Sequence, residues 1–203
     1  NTKVKDSLCK SCKLNELNNK VICGVCVTIR KPYEYIRDKD FFAIFNLSKN
    51  YNIDKFQLDK QYKDIQKIIH PDKFSTSSDH ELKEAQDCSA YVSNAYNILK
   101  DDIKRANYLL KLNGADSIEE MSSNVHDIEL LEKLMEYQER IEESESLNEL
   151  NSIQSEIIQK IEYLKTQIEE SFKQNELDEV LSNLKLVKFN LTILENIDRK
   201  LYK

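Results

Sequence analysis

The 203-residue sequence contains no tryptophan, two glycines and two prolines. β-Sandwiches, propellers and glycine-rich nucleotide-binding folds require many tight turns, so these low counts argue against all three classes. Glycine and proline are also the residues that most strongly disfavour helices, so their scarcity favours long helices. The sequence has no uninterrupted apolar run of about 18 residues, and we therefore expect no membrane-spanning segment.

The charge of the chain is unevenly distributed. The formal net charge of −6 argues against a general nucleic-acid binder. Residues 1–36 hold seven Lys/Arg and three Asp/Glu (+4), residues 37–113 hold thirteen and twelve (+1), and residues 114–203 hold ten and twenty-one (−11). A near-neutral middle and an acidic final third predict two surfaces with two different partners.

Four of the five cysteines form two Cys-x2-Cys pairs near the start of the chain: Cys9, Cys12, Cys23 and Cys26. Two such pairs can close a tetrahedral thiolate site, and the largely polar residues around them cannot bury a core unaided. We predict a structural zinc module over residues 1–36, because four thiolates leave no position open for a substrate. Disulfides, free thiols in a disordered tail, and iron in place of zinc are the alternatives.

The middle of the chain predicts two helices joined by a polar loop. The first begins after Asp54, a plausible N-cap, and ends at Pro71, which cannot continue a helix. The second runs from about His80 to Leu99, so that the pair forms an antiparallel hairpin. Inward positions recur at helical spacing in both helices: Leu58, Tyr62, Ile65 and Ile69, then Leu82, Ala85, Cys88, Val92, Tyr96 and Leu99. In this series Cys88 is interpreted as a buried core thiol.

Another face of the first helix carries Lys60, Lys63 and Lys67. For an isolated helix, a solvated surface is the ordinary interpretation of such a series. The loop that follows offers no nucleophile or paired acid near His70, so a catalytic role is not expected. A further short helix opens at Asp101-Asp102 and is expected to end at Gly114, which suits the C′ position.

These elements resemble a J-domain, in which a short aromatic helix, a basic helix, His70-Pro71-Asp72 and a longer helix follow in that order. The likeness is closest to the HscB-type co-chaperones of iron–sulfur cluster assembly and assigns the J-domain to residues 37–113. The resembling strings are Asp40–Phe45, His70–Phe74, Asn94–Leu99 and Arg105–Leu110. The resemblance implies that the tripeptide stimulates ATP hydrolysis by a DnaK-type chaperone, and that Lys60, Lys63 and Lys67 dock on an acidic surface of that partner.

Three helical stretches follow a polar link at about residues 114–126. They run over about 127–144, 147–172 and 177–202, and the short breaks between them predict antiparallel neighbours in a three-helix bundle over 127–203. Their inward stripes are Leu130, Leu134, Tyr137, Ile141; Leu150, Ile153, Ile157, Ile161, Leu164, Ile168; and Val180, Leu184, Val187, Leu191, Leu194. The predicted fold is therefore all-α: a four-cysteine metal-binding module, a J-domain hairpin and this bundle.

The first bundle helix also carries apolar residues outside its core stripe. At 100° per residue, Leu131 and Met135 lie about 110° from that stripe, and Phe189 falls away from the stripe of the third helix. An acidic row lies beyond Leu131 and Met135: Glu132, Glu136, Glu139 and Glu143. From the residues alone, a partner face and a wide core stripe with a solvated acidic back are equally supported.

The family resemblance favours the partner face. In HscB-like proteins this bundle binds the iron–sulfur scaffold, an IscU-type protein. The matching positions in this sequence are Leu130, Leu131, Met135, Glu136, Glu139, Glu143 and Phe189.

The resulting hypothesis is a non-enzymatic co-chaperone that binds a cluster scaffold and delivers it to a DnaK-type chaperone. One alternative is a general J-domain co-chaperone with unfolded clients on the bundle. A less favoured one is a thiol redox or metal-delivery protein that acts through the N-terminal cysteines. We expect no nucleic-acid or membrane partner. The resemblance favours the mitochondrial matrix, with the cytoplasm as the alternative.

Overall fold

The computed structural model describes residues 40–115, 128–144 and 146–201. Within these ranges the protein is helical and contains no β-strand, which confirms the predicted all-α class. The α-helices are α1 (Phe41–Ile44), α2 (Lys55–Ile69), α3 (Asp79–Lys100), α4 (Asp102–Leu112), α5 (Ile128–Glu143), α6 (Leu147–Gln174) and α7 (Leu177–Leu201), with a 3-10 helix at Pro71–Phe74. Among these helices, none combines the length and the hydropathy needed to cross a bilayer. The predicted cysteine module and residues 116–126 of the predicted link lie outside the described residues.

The chain divides into two compact units, the first ending at Asp101 and the second beginning at Asp102. Helix α4, which the family resemblance assigned to the J-domain region, packs against α7 and belongs to the second unit. As predicted, α4 ends at a glycine: Gly114 has a φ of +75°. The N–H of Ala115 closes the helix end on the carbonyl of Leu110 at 3.0 Å.

Side-chain caps set the starts of the helices in the first unit. Asp40 caps α1 by accepting from the N–H of Ala43 at 2.8 Å, and Asp54 caps α2 as predicted, accepting from Gln57 at 3.0 Å. Ser78 opens α3 with a capping box, in which its own N–H and that of Glu81 are both satisfied. These caps satisfy backbone donors that would otherwise lack partners in the first turn of each helix.

Helices α2 and α3 form the predicted antiparallel hairpin. Polar pairs join them along their length: Asp59 with Tyr96 (2.8 Å), Tyr62 with Ser93 (3.3 Å) and Gln66 with Ser89 (3.0 Å). Residue numbers rise along α2 as those of their partners fall along α3, which defines the antiparallel register. The rings of Tyr62 and Tyr96 also stack, with centroids 4.0 Å apart.

The core of the first unit is small and apolar. Its fully buried side chains come from α1, α2 and α3 and the turn after α1: Phe42, Phe45, Leu58, Ile69, Ala85, Val92, Ala95 and Leu99. Cys88 is buried among them, which confirms its interpretation as a core thiol. Burial, together with Glu84 and Asp87 nearby, raises the pKa of the Cys88 thiol to about 11. This thiol is therefore protonated and inert at physiological pH.

In the second unit, α6 and α7 pack against each other as the main pair. The predicted stripe of α6 is confirmed, since every one of its members is buried: Leu150, Ile153, Ile157, Ile161, Leu164 and Ile168. The turn to α7 is made by Asn175, whose φ of +59° is a left-handed conformation that asparagine adopts readily. Gln154 and Asp198 meet at 3.3 Å, so α6 and α7 run in opposite directions.

Helix α7 is buried on a wider face than its sequence stripe predicted. The predicted positions Val180, Leu184 and Val187 are buried, but Leu191 and Leu194 are only half-buried. Ile193 and Ile197 are fully buried instead. They lie about 100° or more from the predicted stripe, and the reason is that α7 contacts α4, α5 and α6 rather than a single neighbour.

Helix α5 also lies antiparallel to α6, since Tyr137 contacts Glu156 across the short connection between them at 3.0 Å. Helices α5 and α7 therefore run parallel to each other. Lys200, near the end of α7, donates to three carbonyls at the end of α5: Ile141 (2.5 Å), Glu142 (2.7 Å) and Ser144 (2.7 Å). A lysine ammonium thereby satisfies the C-terminal carbonyls of another helix and complements the negative end of its dipole.

Candidate functional site

The loop between α2 and α3 holds His70, Pro71 and Asp72 at the end of the hairpin. His70 terminates α2, with its own N–H bonded to the carbonyl of Gln66 at 3.0 Å. Pro71 begins the 3-10 helix, where its missing N–H costs no hydrogen bond. His70 and Pro71 therefore end α2 and also set the direction in which the loop leaves it.

Short-range hydrogen bonds hold this loop in one conformation. The N–H of Asp72 donates to Nδ1 of His70 at 3.4 Å, and the N–H of Lys73 donates to the carbonyl of His70 at 3.0 Å. The hydroxyl of Ser75 donates to the carbonyl of Asp72 at 3.0 Å. The loop is thus a preorganised turn rather than a free linker.

The predicted site residues of the loop, His70 and Asp72, point into solvent. The side chains of His70 and Asp72 are 52% and 88% exposed. The Asp72 carboxylate lies 3.4 Å from Nδ1 of His70, a contact that becomes an ion pair only when the imidazole is protonated. Exposed polar groups on a rigid turn are suited to contact a partner, because little entropy is lost when they are bound.

Lys60, Lys63 and Lys67 lie exposed on one side of α2, and we call these three residues the lysine face. Lys67 pairs with Asp64 at 3.0 Å. Among the described residues, Lys60 and Lys63 form no ion pair. Lys60 and Lys63 therefore have no ion-pair partner within the described part of the protein, although the charge of Lys63 acts on Asp59.

The flank of α2 beside the lysine face is organised by Asp59. The hydrogen bond from Tyr96, assisted by the charges of Lys100 and Lys63, holds the pKa of Asp59 below its ordinary value. Lys100 lies 3.5 Å from that carboxylate, and the hydrogen bond with Tyr96 together with the charge of Asp59 raises the pKa of Lys100. Asp59 is thus hydrogen-bonded within the hairpin, and its charge also offsets part of the charge of Lys63.

The acidic face is our name for Leu131, Met135, Glu136, Glu139 and Glu143 on α5. All five residues are exposed, with Leu131 at 51% and Met135 at 64%. Leu130 is half-buried, at the boundary between this face and the core. Two exposed apolar side chains beside three exposed carboxylates exceed what the bundle needs for its own packing.

Phe189, the remaining residue of the predicted footprint, lies half-buried on α7. Leu131 precedes Glu142 by as many residues as Phe189 precedes Lys200, and Lys200 contacts the Glu142 carbonyl. Because α5 and α7 run in the same direction with the same rise per residue, Leu131 and Phe189 lie at the same height along the bundle to within about one helical turn. The fold therefore brings both predicted anchors to one level of the second unit.

A network beside the acidic face tethers α5 to α6. The Tyr137 hydroxyl donates to Glu156 at 3.0 Å, and Lys160 contacts both that hydroxyl and Glu156 at 2.7 Å. The hydrogen bonds from Lys160 and Tyr137 lower the pKa of Glu156, and those to Glu156 and Tyr137 raise the pKa of Lys160. This network fixes the position of α5, so its outer face is presented by a supported helix.

One exposed apolar residue of the first unit was missed by the sequence reasoning. Phe56, in the first turn of α2, is 80% exposed. Its spacing from the lysines is a signal that was readable in the sequence, since 56, 60, 63 and 67 recur at helical intervals.

The predicted metal ligands Cys9, Cys12, Cys23 and Cys26 lie outside the described residues. Within the described ranges, no group of three or more His, Cys, Asp or Glu side chains is placed to hold a metal ion.

Comparison with known families gives two matches, of which the first covers the described part of the first unit and extends into α4, and the second lies within residues 126–198. A family described as "DnaJ domain" matches residues 40–108. A family described as "HSCB C-terminal oligomerisation domain" matches residues 126–198. The first match contains the loop and the lysine face, and the second contains the acidic face.

Two curated relatives resemble the chain over more than half of its length. The iron-sulfur cluster co-chaperone protein HscB homolog of Arabidopsis thaliana is 36% identical over 137 residues, which are 68% of this chain and 52% of the relative. The co-chaperone protein HscB homolog of Pseudoalteromonas atlantica is 31% identical over 122 residues, which are 58% of this chain and 69% of the relative. The matched segments thus span about half to two thirds of the length of these relatives.

A solved structure is similar in fold to this chain. The crystal structure of human co-chaperone protein HscB aligns with a TM-score of 0.79 at 25% identity, covering 95% of this chain and 98% of that chain. This agreement includes residues of both compact units.

Proposed function

The chain belongs to the HscB family of J-domain co-chaperones, and from that membership we propose that it acts in iron–sulfur cluster assembly. In this proposal the second unit binds an IscU-type scaffold through the acidic face and Phe189. The loop and the lysine face of the first unit engage a DnaK-type chaperone and stimulate its ATPase. The observation that carries the proposal is the exposed, internally braced His70–Asp72 loop at the end of a lysine-bearing helix.

The chemistry of the proposed cycle takes place on the partner. Within the described residues, the His70 side chain makes polar contacts with Asp72 and with no hydroxyl or thiol, so in this proposal the chain contributes contacts rather than catalytic groups. The lysine face would accelerate association with an acidic surface and would lose effect as salt increases. The rigid loop would supply the specific contact. Holding scaffold and chaperone on one protein would raise the effective concentration of each for the other.

The test of the chaperone arm is His70→Gln, assayed by single-turnover ATP hydrolysis on a purified DnaK-type chaperone. We expect stimulation to be lost while the folded structure and scaffold binding are retained, because the imidazole is exposed and does not support the core. His80→Gln is the matched control, since His80 is an exposed histidine on the neighbouring helix. Full stimulation by the His70 variant, or loss of its fold, would contradict the assigned role.

The scaffold arm is tested by isothermal titration of an IscU-type protein into wild type, Leu131→Ala and Phe189→Ala. Each truncation should weaken binding by about 1–3 kcal/mol if the residue is a central anchor. Leu147→Ala is the control, because Leu147 is also exposed in the second unit but lies outside the proposed footprint. Unchanged affinity in a Leu131/Phe189 double variant would remove the footprint. Equal competition by unfolded polypeptide would favour a general folding role instead.

We also propose that Cys9, Cys12, Cys23 and Cys26 hold one structural zinc ion, a proposal supported by their spacing and by their uniform thiolate chemistry. Metal analysis of protein purified without added metal should find about one zinc per chain. Cys9→Ser and Cys23→Ser should lose it, whereas Cys88→Ala should keep it. Iron in place of zinc, or reversible disulfides under mild oxidation, would favour the alternative chemistries.

The proposed compartment is the mitochondrial matrix, which follows only from the family resemblance. A fluorescent fusion of the complete gene product should overlap a matrix marker. A purely cytoplasmic signal would contradict this assignment and leave the biochemical proposal unaffected.

A further inference from the structure

Phe56 is a large apolar side chain that the hairpin leaves in solvent. It is 80% exposed at the first turn of α2. Among residues 40–101, it is the one large apolar side chain in the exposed class. The core of the first unit therefore makes little use of it, and its presence is not explained by folding.

Phe56 lies on the same side of α2 as the lysine face. At 100° per residue, the four positions 56, 60, 63 and 67 fall within an arc of about 60°. Lys60 is one turn beyond Phe56, which puts their Cβ atoms about 6 Å apart. The exposed side of α2 is thus a continuous strip that has an aromatic ring at its start and ammonium groups along the rest.

We propose that Phe56 is an apolar anchor of the same interface that the lysine face and the loop form with the DnaK-type chaperone, an inference that rests on the proposed function. The partner surface would be acidic opposite the lysines and would offer an apolar depression at the edge of that acidic area. Charge complementarity identifies this occupant, because the residues that adjoin Phe56 on the strip are cations.

A second copy of this chain fits the strip poorly. A symmetric dimer formed through Phe56 would bring two sets of lysines together, and like charges placed opposite each other weaken such an interface. The scaffold is assigned to the acidic face of the second unit, where Leu131 and Met135 adjoin exposed carboxylates. The cationic strip on α2 and the acidic face on α5 therefore fit two different partners.

The helix gives this anchor a defined distance from the loop. Fourteen residues separate Phe56 from His70, which corresponds to about 21 Å along a helical axis. A ring held at one end of α2 and a rigid turn at the other would fix the register of the docked helix. The lysines alone would not fix it, because exposed charge pairs in water are weakly directional.

The experiment measures stimulation of a purified DnaK-type chaperone at increasing concentrations of wild type, Phe56→Ala, Phe56→Leu and a Lys60→Ala/Lys63→Ala variant. For Phe56→Ala we expect the half-maximal concentration to rise about tenfold with little change in maximal rate. Phe56→Leu should recover part of the loss. Tyr163→Ala is the matched control, since Tyr163 is an aromatic residue 65% exposed in the second unit.

Two further readouts separate an interface role from a structural one. The melting temperature of Phe56→Ala should equal that of wild type, because the side chain is exposed and alanine favours helix. Raising the salt concentration should weaken wild type and Phe56→Ala by similar factors. The Lys60→Ala/Lys63→Ala variant should lose part of that salt dependence.

The outcomes distinguish this inference from the proposed function. If wild type stimulates the chaperone and Phe56→Ala has the same half-maximal concentration as wild type, Phe56 is not an anchor. The proposed function would still stand. Weakened scaffold binding by Phe56→Ala, with stimulation intact, would also overturn the anchor. No stimulation by wild type itself would overturn both.

Discussion

The hairpin of the first unit and the bundle of the second are both assemblies of antiparallel helices, but different side chains join them. Between α2 and α3, a series of polar pairs runs along the interface, from Asp59–Tyr96 to Gln66–Ser89. Between α6 and α7, the contact is mainly aliphatic, with Ile157, Ile168 and Leu184 fully buried.

This difference matches what each unit presents to partners. Directional hydrogen bonds between α2 and α3 fix their register, and through it the position of the loop that joins them. Aliphatic packing is non-directional but buries more apolar area, so it stabilises long helices whose outer faces stay free. The hairpin thus fixes the position of the His70–Asp72 loop, and the bundle supports the helix that carries the acidic face.

The largest effect should come from deleting part of the bundle core. Ile157→Ala should lower the free energy of unfolding of the second unit by about 2–5 kcal/mol, through lost burial and a cavity. Ile158→Ala is a matched control at the next position, where the side chain is 47% exposed, and it should cost less than about 1 kcal/mol. Denaturant titration gives the magnitudes, and hydrogen exchange locates them. Equal loss of protection in residues 40–101 would show that the two units unfold together, which would break the comparison.

An intermediate effect should come from the link between α5 and α7. Lys200→Met leaves the carbonyls of Ile141, Glu142 and Ser144 without their ammonium donor, so we expect a loss of about 1–3 kcal/mol. Lys188→Met, at an exposed lysine of the same helix, should be nearly neutral. Increased exchange should begin at the end of α5. Equal stability of the two variants would mean that the Lys200 contacts add nothing to the free energy of unfolding. The bundle would then be held by aliphatic contacts alone.

The smallest effect should come from the hairpin, at Asp59. Because the pKa of Asp59 is lower in the folded protein, its ionised carboxylate stabilises the fold fully at any pH above 3.8, the ordinary pKa of the group. That stabilisation is lost as the pH falls through the lowered pKa of the folded state. Wild type should therefore melt slightly above Asp59→Asn at pH 7, and the gap should close below about pH 3.8.

A Tyr96→Phe background tests the cause of that effect. Without the hydroxyl that donates to Asp59, the difference between Asp and Asn at position 59 should shrink at pH 7 as well. A gap that persists unchanged at low pH would mean that the substitution perturbs packing rather than the carboxylate's hydrogen bond.

Much of the candidate site was predictable because its residues are close in sequence. Proline cannot continue the helix that precedes it, so the end of α2 before Pro71 follows from local chemistry. The angular offset of Leu131 and Met135 likewise follows from the geometry of a single helix. That offset left a partner face and a wide core stripe equally supported, and the exposure of both side chains in the structure excludes the wide stripe.

Other features depended on how many neighbours a helix has. Ile193 and Ile197 were missed as core residues because the stripe analysis assumes one buried face, whereas α7 contacts three helices. Lys200 gave no sign in the sequence that it would cap α5, because its acceptors are more than fifty residues away along the chain.

The sequence by itself determined the described helices, their approximate ends and the buried side of α6, because capping, proline chemistry and helical periodicity act within a few residues. Only the tertiary structure decided that α4 joins the second unit, that Leu131 and Phe189 lie at one height, and that Asp59 is held by Tyr96. Those relations depend on packing and hydrogen bonding between distant segments. Such contacts are selected by how the assembled surfaces fit, and local patterns carry little information about that fit.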